Sequence, residues 1–189
     1  MAQFIVVYDS CVLYPAPLRD LLMRLALTDL YHAKWTQEIH KEWMRNLLKN
    51  RPDLTIERLE SVRARMDLHV RDGLVEGYEE LIDGIKLPDI KDRHVLAAAI
   101  KANAQTIVTY NLSDFPSSAL SKYEIDAQHP DEFLRHLLDL APAKVIATVQ
   151  ETRKSLKNPP KSSSEYLSTL EKQSLPQTCA YLREYERLI

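Results

Sequence analysis

The chain is poor in the features that would place it outside the cell or in a membrane. It has only two cysteines, Cys11 and Cys179, far apart in sequence and in neither a metal-ligand nor a disulfide pattern. No apolar stretch approaches the length of a bilayer span, which excludes a transmembrane role. No signal peptide precedes the strand that starts near Gln3, so a cytoplasmic location is expected. The formal net charge is only −2, which argues against a protein that coats nucleic acid by bulk attraction. Internal repeats are absent, and no low-complexity tract exceeds a short Pro/Ser joint.

What remains is a chain of 189 residues with 45% apolar side chains, enough for one compact domain with an attachment. Its charge is unevenly spread. Lys34, Lys41, Arg45, Lys49 and Arg51, with His32 and His40, make one basic segment able to neutralise a few phosphates. The plainer alternative is a solvated helix face with Glu38 and Glu42 as intrahelical partners.

The pattern along the chain alternates strands and helices. Residues 3 to 8 form an unbroken apolar run that suits a strand buried on both faces. Pro15 and Pro17 interrupt the chain before a helix at Leu18 to Leu25. Thr36 is a suitable N-cap for a helix with an Ile39, Trp43 and Leu47 stripe, and Asp53 or Thr55 starts a third through Met66. Gly73 ends this helical pair. Leu74 and Val75 are assigned to a short second strand, followed by a brief helix from Tyr78 to Ile82. Asp89 to Ala102 is the clearest helix, with acids in its first turn and a lysine near its end. Thr106 to Thr109 forms a central strand, Tyr123 to Ala127 a weak one, and Pro130 to Leu140 a helix. This βα alternation implies an α/β fold with a central, mostly parallel sheet.

Beyond Pro142 the chain turns to helices and polar joints, so the expected division is a domain over 1–140 and a helical extension over 141–189, with a Pro/Ser linker near 157–164. Ser162 and Glu165 form a capping-box pattern that opens the next helix, and Ser174 with Pro176 starts a last one through Leu188.

The acids carry the chemistry. Asp9 and Asp114 each follow an apolar strand, where ligands collect in an open parallel sheet. Glu42 lies beside a buried helical stripe, and Asp89 and Asp92 project from a helix terminus. Ionised carboxylates brought close together take up protons or bind a cation, and an all-oxygen cluster selects a hard ion, Mg²⁺ or Mn²⁺. Each acid also has an ordinary explanation. Asp9, Asp89 and Asp114 suit helix caps or turns, Asp92 complements a helix dipole, and Glu42 can pair with Arg45 one turn later.

Their combination resembles a known family. Tyr8-Asp9-Ser10-Cys11, Thr36 to Glu42, Pro88-Asp89-Ile90-Lys91-Asp92-Arg93-His94 through Ala99, and Val108-Thr109-Tyr110-Asn111-Leu112-Ser113-Asp114 match, in order and spacing, the blocks of the PIN-domain family. Within it the chain is similar to the VapC-type toxins of prokaryotic toxin–antitoxin pairs over residues 3 to 140, and the tail resembles an extension on some of them. The resemblance implies a three-layer α/β/α fold and a Mg²⁺- or Mn²⁺-dependent endoribonuclease. It implies Asp9, Glu42, Asp92 and Asp114 as catalytic acids, with Asp9, Asp92 and Asp114 on the metal and Glu42 ligating or orienting water. Asp89 is implied as an accessory, and Thr109 and Asn111 as polar groups that orient a carboxylate or bind phosphate. RNA as substrate, a small antitoxin protein as partner and a homodimer follow from the same likeness, with residues 36 to 70 or the tail as contact surfaces. Cys11 departs from the pattern, since many members carry Asn there.

Two other enzyme classes fit less well. Phosphatases of the haloacid dehalogenase type need a second Asp where Cys11 stands, and receiver domains need an acidic pair at the first strand. A PIN-like domain that binds RNA or protein without cutting is the non-enzymatic alternative.

Overall fold

A computed structural model describes residues 4–189. The expectation for Gln3 lies outside them. Contacts divide the chain into two units, Met1–Tyr14 with Tyr31–His129, and Pro15–Leu30 with Pro130–Ile189.

In chain order the elements are β1 (Phe4–Tyr8), α1 (Ser10–Leu13), α2 (Ala16–Ala26), β2 (Tyr31–Lys34), α3 (Gln37–Asn50), α4 (Ile56–His69) and α5 (Arg93–Lys101). They continue with β3 (Thr106–Val108), α6 (Ser117–Leu120), β4 (Asp126–Gln128), α7 (Pro130–Leu140), α8 (Pro142–Ser155), α9 (Ser163–Glu171) and α10 (Pro176–Glu184). Short 3-10 turns occupy Glu79–Gly84, Ile90–Asp92, Leu112–Asp114, Ser121–Tyr123 and Glu186–Leu188.

The first unit is built on a four-stranded, all-parallel sheet of order β2-β1-β3-β4, flanked by helices. The two central strands carry the apolar runs. Val6, Val7 and Tyr8 of β1 and all of β3 are buried, as expected for strands covered on both faces. The edge strand β2 instead alternates, with Tyr31 and Ala33 inside and His32 outside. Its mixed composition hid it from the apolar-run criterion. The second strand is therefore Tyr31–Lys34 and not residues 74–75, where Leu74 forms only an isolated bridge to Trp35. Gly73 permits that approach: a Cβ there would lie 2.9 Å from the Trp35 ring.

Other boundaries shift for local reasons. The helix after the prolines begins at Ala16, because Pro17 fits the first turn, where no N–H bond is needed. Residues 90–92 wind as a 3-10 turn before α5, and the brief helix near Tyr78 is likewise 3-10 over Glu79–Gly84. The last strand runs over Asp126–Gln128, after Glu124 adopts φ 57°. The final helix stops at Glu184.

A polar network ties α3 to α4. Asp67 Oδ1 accepts from Trp35 Nε1 at 2.8 Å and lies 3.0 Å from His40 Nε2, while Trp43 Nε1 donates to His40 Nδ1 at 3.0 Å. An indole N–H can only donate, so Nδ1 is the acceptor and Nε2 carries the proton given to Asp67. His40 is thus fully buried and not part of a basic face. Lys41 pairs with Glu38 and Arg51 with Asp53, so part of the basic segment's charge is met by neighbouring acids.

The second unit joins α2 to the C-terminal helices. Leu18, Leu21, Leu22 and Leu25 are buried on α2, which packs on α8 and α9. Asp131, in the first turn of α7, accepts from the backbone N–H of Gln177 at 3.0 Å and Thr178 at 2.8 Å, capping α10 from a neighbouring helix. The Ser162–Glu165 capping box forms at α9 as its sequence pattern implies. Among the described residues no helix is long and apolar enough to cross a membrane.

Candidate functional site

The sheet register assembles the site. Tyr8 pairs with Val108 across β1 and β3, so the next residues, Asp9 and Thr109, emerge side by side at the carboxyl ends of the central strands. Asp9 N–H still bonds Val108 O at 3.1 Å, and Thr109 N–H bonds Gln128 O at 3.0 Å. This edge is where open parallel sheets bind ligands.

Asp9 is 3% exposed and makes no side-chain bond to cap α1. Its Oδ2 accepts instead from Thr109 Oγ1 at 2.7 Å and from the Cys11 thiol at 3.1 Å. The Cys11 sulfur in turn accepts from Tyr110 N–H at 3.3 Å. Burial, followed by the charge of Asp9, pushes the Cys11 thiol well above its usual range, so it stays protonated and able to donate. Asp9 Oδ1 has no hydrogen-bond partner among the described residues. Asn111 contributes through its backbone N–H, which holds Thr109 Oγ1 at 3.0 Å; its exposed side chain makes no hydrogen bond among the described residues.

The other acids also escape most of their ordinary roles. Asp92 sits at the N-cap of α5 but makes no capping bond. Asp114 closes the turn Leu112–Asp114 and does not cap α6, whose N-cap is Pro116. Glu42 bonds His94 rather than Arg45. Only Asp89 does the work of a cap, its Oδ1 accepting from Lys91 N–H at 2.8 Å.

Asp92 lies within reach of the charges of the other four acids. Burial first, and then the charges of Asp9, Asp89, Asp114 and Glu42, raise the Asp92 carboxyl to about 6. All five predicted acids therefore share one region. Among the described residues, no three acid, histidine or cysteine side chains stand close enough to hold an ion together. The donor set nevertheless fits a hard divalent cation. It is all oxygen, partly buried and self-repelling, and Mg²⁺ keeps several waters and takes only one or two carboxylates directly.

His94 was not singled out from sequence. Its buried ring places Nε2 3.0 Å from Glu42 Oε1. Burial opposes its charged form, but the Glu42 bond and charge, with Glu38 and Asp9 behind, outweigh this and raise its pKa. The available signal was its place two residues after Asp92, on the inward face of a helix.

A family model described as PIN domain matches residues 5–113, more than half of the chain. The chain belongs to the PIN-domain family. A second model, described as VapC50 C-terminal domain, matches residues 130–184 of this PIN protein. A curated relative, "Putative ribonuclease VapC50" of Mycobacterium tuberculosis (strain ATCC 25618 / H37Rv), is 41% identical over 107 residues, covering 57% of this chain and 62% of that protein. The match thus spans less than two thirds of the relative. No solved structure matches the chain.

Proposed function

We propose that this PIN domain is a divalent-metal-dependent endoribonuclease, using Mg²⁺ or Mn²⁺, and the toxin of a prokaryotic toxin–antitoxin pair. The observation that carries the proposal is the placing of a half-buried Asp92 within reach of the charges of Asp9, Asp89, Asp114 and Glu42, where burial first and then those charges raise its carboxyl to about 6. Such crowding is costly for the free protein and is relieved by a bound cation. The relative's printed name, a ribonuclease, supports RNA as the substrate.

When bound, a divalent cation supplies Lewis-acid polarisation of the scissile phosphate and an activated water. The protein's part is placement. Thr109 and Cys11 occupy Oδ2 of Asp9, so Oδ1 is the oxygen that would hold the cation. Asp92 and Asp114 complete the acidic wall, and Asp89 borders it at the turn before α5. Glu42, held by His94, would ligate the cation or orient its water. Thr109 and Asn111 serve the strand end, the first by holding Asp9 and the second by holding Thr109.

A toxin of this kind is held inactive by a small antitoxin protein, acts in the cytoplasm, and assembles as a homodimer in this proposal. Exposed Ile56 and Leu68 on α4 support the helical pair as a contact surface.

The deciding experiment incubates purified protein with structured RNAs in Mn²⁺ or with a chelator. Cleavage that needs the cation and disappears in Asp9→Asn is the expected result. Cleavage that survives chelation, or survives in Asp9→Asn, overturns the assignment.

A further inference from the structure

One contact in the acidic region joins two distant parts of the chain. Glu42 lies on α3 and His94 in the first turn of α5, 52 residues apart, yet their side chains meet at 3.0 Å. Glu42 retains 18% side-chain exposure and has no other hydrogen-bond partner among the described residues. The second ring nitrogen of His94, Nδ1, is buried and has none either. Each group is therefore directed by the other alone.

Glu42 needs such a restraint. It stands close enough to Asp92 for its charge to act there, and Asp9 acts on the His94 ring beside it. A long acidic side chain with an exposed exit lowers both repulsion and entropy loss by swinging into water. The His94 N–H opposes that swing from inside the wall.

We propose that His94 is a positioning residue that acts through Glu42, keeping its carboxylate inside the acidic cluster and thereby setting the cluster's affinity for a divalent cation. This rests on the cation-binding part of the function proposed above, though not on RNA being cut. Partners that orient metal-site carboxylates are worth about 10-fold or more in metal affinity.

The test compares His94→Gln, whose amide N–H reaches about where Nε2 lies, with His94→Leu, which fills similar volume without a donor. Metal-free protein is titrated with Mn²⁺ without RNA, and free ion is read by electron paramagnetic resonance. His94→Leu is expected to weaken Mn²⁺ binding by about 10-fold, and His94→Gln to recover most of that loss. On a Glu42→Gln background, His94→Leu is expected to add nothing, because the two act as one unit. If His94→Leu does not fold, His94→Asn, with an amide too short to reach, replaces it. Equal losses in the Gln and Leu variants, additive losses in the double variant, or no Mn²⁺ binding by the wild type overturns the proposal. Wild-type protein that binds Mn²⁺ but leaves RNA intact removes the nuclease assignment while the His94 result stands or falls on its own titration.

Discussion

Cys11 gives its thiol hydrogen to the same Asp9 oxygen, Oδ2, that Thr109 reaches with its hydroxyl, at 3.1 Å and 2.7 Å. A residue that departs from the usual Asn of the family thus still delivers a donor. The carboxylate of Asp9 is almost wholly buried, so its orientation depends on these two bonds.

The hydroxyl is the stronger of the two. Thr109→Val removes a short bond to a buried charge and is expected to lower stability by about 1–3 kcal/mol, measured by urea unfolding in a chelator. Cys11→Ala, losing a weak donor, is expected to cost less, and Cys11→Asn to keep RNA cleavage near wild type. A Cys11→Ala loss larger than that of Thr109→Val contradicts this ranking.

Asp92 makes the metal-free protein sensitive to pH in a defined direction. Burial and then its acidic neighbours raise its carboxyl from its ordinary value of 3.8 to about 6. Between those values the folded state holds a proton that the unfolded chain has released, so this contribution to stability is present below the lower value and is lost as pH rises through about 6. Asp92→Asn is expected to be more stable than wild type at neutral pH, with the gap closing under acid. Thermal melts in a chelator across that range check it; a gap that widens toward acid pH refutes it. In the wild type, Mn²⁺ binding is expected to weaken below pH about 6, where the cation must displace that proton.

His40 behaves in the opposite sense. Burial lowers its pKa below 6.5 despite the bond to Asp67, and Trp43 already donates to Nδ1. Below the ordinary histidine value the unfolded chain takes up a proton that the folded ring refuses, so stability present above it is lost as pH falls. Nitrogen NMR of the ring is expected to show a neutral Nε2–H form persisting below pH 6.5. A ring that titrates at its ordinary value removes the Trp43–His40–Asp67 arrangement.

Asp131 governs the second unit. Asp131→Ala strips two backbone N–H groups at the start of α10 of their acceptor and is expected to cost about 1–3 kcal/mol. Hydrogen exchange over residues 176–184 is expected to speed up most. Unchanged protection there contradicts the capping role.

Much of the first unit was legible because its central strands are short apolar runs and its helices carry periodic faces. The buried Val6-Val7-Tyr8 run read directly, as did Val95, Leu96, Ala98 and Ala99 of the helix face, whose last member, Ile100, is only half-buried. Tyr31–Lys34 did not, because an edge strand buries only alternate residues and Tyr-His-Ala-Lys resembles a polar loop. The acids were legible as candidates from their places at strand and helix ends. Their shared influence on Asp92 was not, since it depends on parallel register between residues a hundred positions apart. His94 was hidden for a related reason: a histidine on a buried helix face is commonly a satisfied core residue, and its partner lies on a different helix.

The leucine-rich helix α2 leaves the ribosome between two strands of the sheet, yet the helices α8 and α9 that cover it arrive more than a hundred residues later. Until then its apolar face has no lasting cover, which makes the nascent chain a client for holding factors. Translation must run through α9 before this helix finds its native neighbours, so a message truncated after the sheet yields a product with an uncovered, aggregation-prone helix.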